Sequence, residues 1–360
     1  KILILPEKVN GLTLALSPEV AAKTWTYNVD DSTGPNSRVV EIDDKNYIQI
    51  KFTDFLGVKS VRLANYTSDT STNYDSIEIY NSRTADLLQK INQLDTPESI
   101  GTKVIESRQF LFTDADQIYD MTVSLGKTGT GNFDIIGRKS NTSGNYSIID
   151  GKSAYSMFEI SQNTNMTVKN VEFRNAEGNN QSAKQNSVFD ITNTSANVEL
   201  TNVIFKNNVG NAISNRGNVT LRNVEFSRAE NGILNAIGNY GTIQTALNSD
   251  DTMTQNKFET KITNYASDNV TGKIYFRTTD TITGGIYNLG EIQFLGKSTV
   301  SEALDESSLD NFGKIITAVA LIGVDDVKVV FDRVINNAET GIIQTIGVDE
   351  FNKNINNKGN

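Results

Sequence analysis

Aspartate and arginine are the residues of this 360-residue chain best placed to do chemistry, because the sequence contains no histidine and no cysteine. Without His it lacks the commonest general base and the commonest transition-metal ligand. Without Cys it has neither disulfides nor thiolate metal sites. What remains is carboxylate chemistry at the adjacent pairs Asp250-Asp251 and Asp325-Asp326, with Arg277 and Arg333 as candidate bases. Neighbouring side chains on a strand point to opposite faces, so each pair offers one ligand to any single site. Calcium wants six to eight oxygens. The pairs are therefore expected to be solvated turns, and no catalytic residue and no metal site is assigned.

A second set of residues suits binding. Tyr240, Phe258, Tyr265, Tyr275 and Tyr287 lie in or beside a stretch, about 245–283, where the regular pattern of the chain lapses. Tyr rings stack on sugar faces or protein surfaces while their hydroxyls stay wet. The lapse reads as a long loop laid along the body of the protein, and long loops on rigid scaffolds usually carry function. Some of its aromatics are expected to hold it down and the rest to face a ligand. The plainer alternative is that half of them only pack loop against body.

The elements that would position these residues are written most clearly from Met166 to Phe226, where one pattern occurs three times: M-T-V-K-N-V-E-F (166–173), V-E-L-T-N-V-I-F (198–205) and V-T-L-R-N-V-E-F (219–226). Apolar residues alternate with period two, as in a strand with one buried face. An Asn then interrupts, and the alternation restarts one residue out of phase. A flat strand would throw its second half to the other face at that slip. The buried face survives only if the chain turns a corner at Asn170, Asn202 and Asn223, and Asn tolerates the left-handed conformation such a corner needs. From Asn202 to Asn223 is 21 residues, one turn of a stacked repeat. From Asn170 to Asn202 is 32, the excess lying in a polar loop that begins at Asn175. A more distant copy begins at Ile286, with Gly296 at the corner position, where glycine would accept a positive φ.

Around this centre the chain divides into three regions. Residues 1–83 carry strand patterns without the repeat. Residues 84–97 read as a short amphipathic helix, with Leu87, Leu88, Ile91 and Leu94 on one face, Thr84 able to cap it and Pro97 to stop it. Such a helix would cover the open end of the stack. Residues 105–351 form the stack itself, with insertions at about 245–283 and 300–312. A formal charge of −10 and no Lys/Arg-rich run argue against nucleic acid or an anionic membrane as partner. No apolar run is long enough to span a membrane. With no signal peptide before Lys1, the chain is expected to be a mature or trimmed fragment, and a monomer.

The Asn corners at 170, 202 and 223 resemble the stacked Asn ladder of the pectate-lyase-like right-handed parallel β-helix. The segments Gly210-Asn-Ala-Ile-Ser-Asn and Gly284-Gly-Ile-Tyr-Asn look like repeats of bacterial surface adhesins and autotransporter passengers. The resemblance covers roughly residues 120–345. It implies an all-β solenoid with a short helical N-terminal cap and long loop insertions. Because this scaffold hosts enzymes and adhesins alike, it constrains fold more than function. The expectation is a non-catalytic, secreted bacterial adhesin fragment at the cell surface. Its ligand would be a polysaccharide (an insoluble plant cell-wall polymer such as cellulose among them) or a host surface, and it would need no cofactor. The alternatives are a calcium-dependent polysaccharide lyase and a structural stalk.

Overall fold

The computed structural model describes residues 118–121, 133–177, 188–227, 237–248, 252–267, 269–301, 308–317, 328–346 and 349–360. The expected N-terminal region (1–83) and capping helix (84–97) lie outside them. So do the pairs Asp250-Asp251 and Asp325-Asp326.

The described residues are all-β. Nearly every strand pairs in parallel with the equivalent strand one repeat further on, and no described residue is helical. Three ladders result. The first carries an inward column Phe133, Met166, Val198, Val219, Ile243, Ile274, Ile292, Ile315 and Ile343, each residue in register with the next. In the second, Ile149, Phe173, Phe205, Phe226, Phe258, Ile282, Val300, Phe331 and Phe351 follow one another in the same way. In the third the column is Phe158, Phe189, Ile213, Ile237, Ile262, Ile286, Leu309, Ile335 and Ile355. The three columns meet in one buried core, which the last residue of the third, the exposed Ile355, lies outside. In-register parallel pairing sets like side chain on like, so rings stack: Phe205 on Phe226 at 4.7 Å and Phe226 on Phe258 at 5.4 Å.

The first two ladders share continuous strands, Thr164–Arg174, Asn197–Lys206 and Asn218–Phe226, curled at the Asn corners. Asn170, Asn202 and Asn223 have φ of 56°, 54° and 53°, the left-handed values the phase slip requires. Their amides stack, Asn202 donating to Asn170 at 2.9 Å and Asn223 to Asn202 at 3.1 Å. A second left-handed corner follows at Asn175 and Asn207. Gly296 differs from expectation. It does not share the positive φ; what demands glycine there is space, since a Cβ would sit 2.4 Å from the Thr278 carbonyl oxygen.

Residues 245–283 do not form a loop laid along the body. Gln255–Phe258, Ile262–Asn264, Lys273–Phe276 and Thr279–Ile282 continue all three ladders. The repeat is lengthened there by the residues between Thr245 and Gln255 and by a hairpin pairing Ala266–Ser267 with Val270–Thr271. The stretch 300–312 is likewise bounded by ladder strands, Ser298–Ser301 and Leu309–Asn311.

Candidate functional site

The third ladder ends each of its later repeats on an Asn, buried in all but the last, Asn357, and this organises the surface beside it. Asn215, Asn239, Asn264, Asn288, Asn311, Asn337 and Asn357 form one chain of amide hydrogen bonds, each Nδ2 donating to the next Oδ1 at 2.7–2.9 Å. Most of the donors also reach backbone carbonyls, as Asn264 does to Gly272 at 3.0 Å and Glu291 at 3.2 Å. The chain of amides is directional, and it begins at Asn215 because the residue in register before it is Ile191. The buried Asn215 Oδ1 is accordingly left without a partner. Two residues beyond Asn215, Asn239, Asn288, Asn311 and Asn357 a glycine runs tight against a neighbouring repeat. A Cβ on Gly241 would meet the Gly217 carbonyl oxygen at 2.2 Å, which explains the recurring Asn-x-Gly.

The residue after each of Asn215, Asn239 and Asn264 lies outside the buried series, and in-register stacking turns these positions into a surface column. Tyr240 and Tyr265 stack face to face, 4.3 Å apart and 8° from parallel. The Arg216 guanidinium lies 4.9 Å from the Tyr240 ring centre. Burial, and then the neighbouring Tyr240, push the Tyr265 phenol above its ordinary pKa. The facing surfaces of these two rings are thus taken up by each other. Further along, Tyr287 lies 5.2 Å from Phe312, with the Lys261 ammonium 5.8 Å from its ring. Phe312 is exposed.

Two of the five sequence-selected aromatics do not belong to this face. Phe258 is 1% exposed, between Phe226 and Phe276 in the core, so it holds the fold and offers nothing to a ligand. Tyr275 lies on the first ladder, in register with Gln244 and Gln293, and Arg277 sits 5.4 Å from its ring. The two candidate bases also separate. Arg277 is exposed beside Tyr275, whereas Arg333 is fully buried and donates to the carbonyls of Gly284, Thr283 and Ser301. A guanidinium held in that way staples repeats together and is not available as a base at the surface.

One buried acid was not anticipated. Asp280 is 1% exposed and accepts hydrogen bonds from Asn256, Thr245 and the Thr278 hydroxyl and amide. Burial pushes its pKa up to about 6, against the pull of those donors. It sits at the corner where the Asn170–Asn202–Asn223 series has ended, and the network takes over the job of satisfying the bend.

A shallow groove of about 380 Å³ runs along the outer face of the second ladder, lined by Tyr146, Ile204, Asn223, Glu225, Gln255, Lys257, Thr279 and Thr281 among others. It lies on a different ladder from the Tyr240–Tyr265 column.

The chain matches no family model, no curated protein and no solved structure.

Among the described residues no three acids gather in a way that could hold a metal ion.

Proposed function

We propose that this chain is a non-catalytic binding module of the bacterial cell surface, built as a right-handed parallel β-helix, whose ligand is a polysaccharide. The β-helix reading rests on three parallel ladders whose inward columns share one core, with left-handed Asn corners between the first two. Each strand's partner is the equivalent strand of the next repeat, as a solenoid requires. Successive repeats advance roughly 4.8 Å, so any outward position recurs as a straight row.

The observation that carries the binding reading is the Arg216–Tyr240–Tyr265 column. Its rings are fixed by one another, so little ordering remains to be done when a ligand arrives. An extended polymer fits rows, since it can repeat the same weak contact along several repeats. The formal charge of −10 favours an uncharged polymer over a polyanion.

A pull-down of the purified chain on cellulose, xylan, pectin and host-matrix proteins tests this reading. Retention on a polysaccharide is the expected result. Retention on none of them leaves a structural stalk as the better account.

A further inference from the structure

Resting on that binding reading, we infer that the groove beside Tyr146 on the second ladder is a subsite for a short stretch of a neutral glycan chain. Its floor is a register column: Ile204, Glu225, Lys257 and Thr281 follow one another across successive repeats. Four residues at this spacing cover roughly 14 Å, enough for a few sugar rings laid along the ladder. Gln255 and Thr279 form the parallel row beside it.

The lining matches a sugar in kind. Tyr146 and Ile204 present apolar surface to the C–H face of a ring. Gln255, Thr279 and Thr281 supply an amide and hydroxyls, which can both donate and accept, as sugar hydroxyls do. One lysine faces two glutamates: Lys257 pairs with Glu259 at 2.5 Å and reaches Glu225 at 3.7 Å. The groove's lining lysine, Lys257, is thus engaged by carboxylates rather than open to a uronate, and the protein as a whole, at −10, repels one.

The wall is fixed in place before any ligand arrives. Tyr146 belongs to a hairpin in which Lys139 bridges to it antiparallel. Ser140 N donates to Asn145 O at 2.8 Å and Ser147 N to Arg138 O at 3.0 Å, closing the turn at both ends. The Lys139 ammonium lies 5.5 Å from the Tyr146 ring centre. An aromatic platform held this way loses little side-chain entropy on binding.

The test measures calorimetric binding of the full chain to cellohexaose, xylohexaose and hexagalacturonate, beside retention on insoluble cellulose and xylan. The wild-type chain is expected to bind a neutral hexamer and not the uronate. Tyr146→Ala should weaken that binding about tenfold, Tyr146→Phe should keep it, and Thr281→Arg should abolish it by filling the groove. Thr281 lies on the outer face, so its variant keeps the test valid if loss of Tyr146 disturbs the hairpin. Wild-type retention on polysaccharide that is unchanged in Tyr146→Ala and Thr281→Arg would overturn the subsite while leaving the binding function standing. Preference for hexagalacturonate would overturn the neutral assignment. Failure of the wild-type chain to bind any of these ligands would overturn the function and the subsite together.

Discussion

Asn264 donates through Nδ2 to Asn288 Oδ1 at 2.9 Å, and both side chains are fully buried. An amide in that position is satisfied only by its equivalents in the neighbouring repeats and by nearby carbonyls. Removing one link leaves several buried partners unmade, each costing about 1–3 kcal/mol. Asn264→Ala should therefore lower the unfolding free energy by roughly 3–5 kcal/mol. Denaturant melts of the variant and wild type measure it, and a loss below about 1 kcal/mol would show that the amide chain is incidental.

The outer series separates two effects at one position. Asn202 combines a φ of 54° with hydrogen bonds to Asn170 and Asn223. Asn202→Gly keeps the left-handed conformation and loses only the bonds, for about 1–2 kcal/mol. Asn202→Leu loses both and should cost about 2–4 kcal/mol. Equal melting temperatures for the two variants would contradict a conformational role for this corner.

Asp280 makes stability depend on pH with a definite sign. Its pKa in the folded chain is raised from 3.8 to about 6, so the folded state holds this proton more tightly than the unfolded state. The resulting stabilisation is present in full below pH 3.8 and is lost as pH rises through about 6. Its span is roughly 3 kcal/mol. Asp280→Asn cannot titrate, so the variant should gain on the wild type by about that amount between pH 4 and pH 7. A difference between the two that stays flat across this window would show that Asp280 keeps an ordinary pKa.

Phe258 and Tyr240 were selected from the sequence for one purpose, yet one is a core residue and the other half-exposed. Phe258→Ala should cost about 3–5 kcal/mol of stability by opening a cavity in the ring column. Tyr240→Ala should cost far less and expose the Tyr265 ring. Thermal melts and polysaccharide retention, run on both variants, separate the roles. Loss of retention in a still-folded Phe258→Ala chain would contradict them.

The strands, the buried face and the left-handed corners at Asn170, Asn202 and Asn223 were legible because a phase slip in a period-two pattern has one economical explanation. The repeats inside 245–283 are hidden in the sequence, although Ile237-x-Asn239-x-Gly241 just before them repeats Ile213-x-Asn215-x-Gly217. The residues between Thr245 and Gln255 and the hairpin at Ala266–Thr271 stretch the period there and hide the match. Once Asn215, Asn239 and Asn264 are seen in register, Arg216, Tyr240 and Tyr265 must stack. Sequence spacing alone could not show that stacking would occupy the faces of the two tyrosines. Nor could it place Tyr146 and Ile204 on one groove, because that depends on how the hairpin carrying Tyr146 sits beside the ladder. Asp280 gave no sign either, since its role arises from Thr245 and Asn256 in other repeats.

The central claim is binding without turnover, and the measurement closest to it follows both at once. The purified chain is incubated with insoluble cellulose, insoluble xylan and pectin, with calcium and with a chelator, and bound protein and released soluble sugar are measured in the same tubes. The account predicts retention on a neutral polymer that the chelator does not change, with no soluble sugar above the protein-free control. Release of sugar that is abolished by the chelator, above all from pectin, would contradict it and make the chain a calcium-dependent lyase.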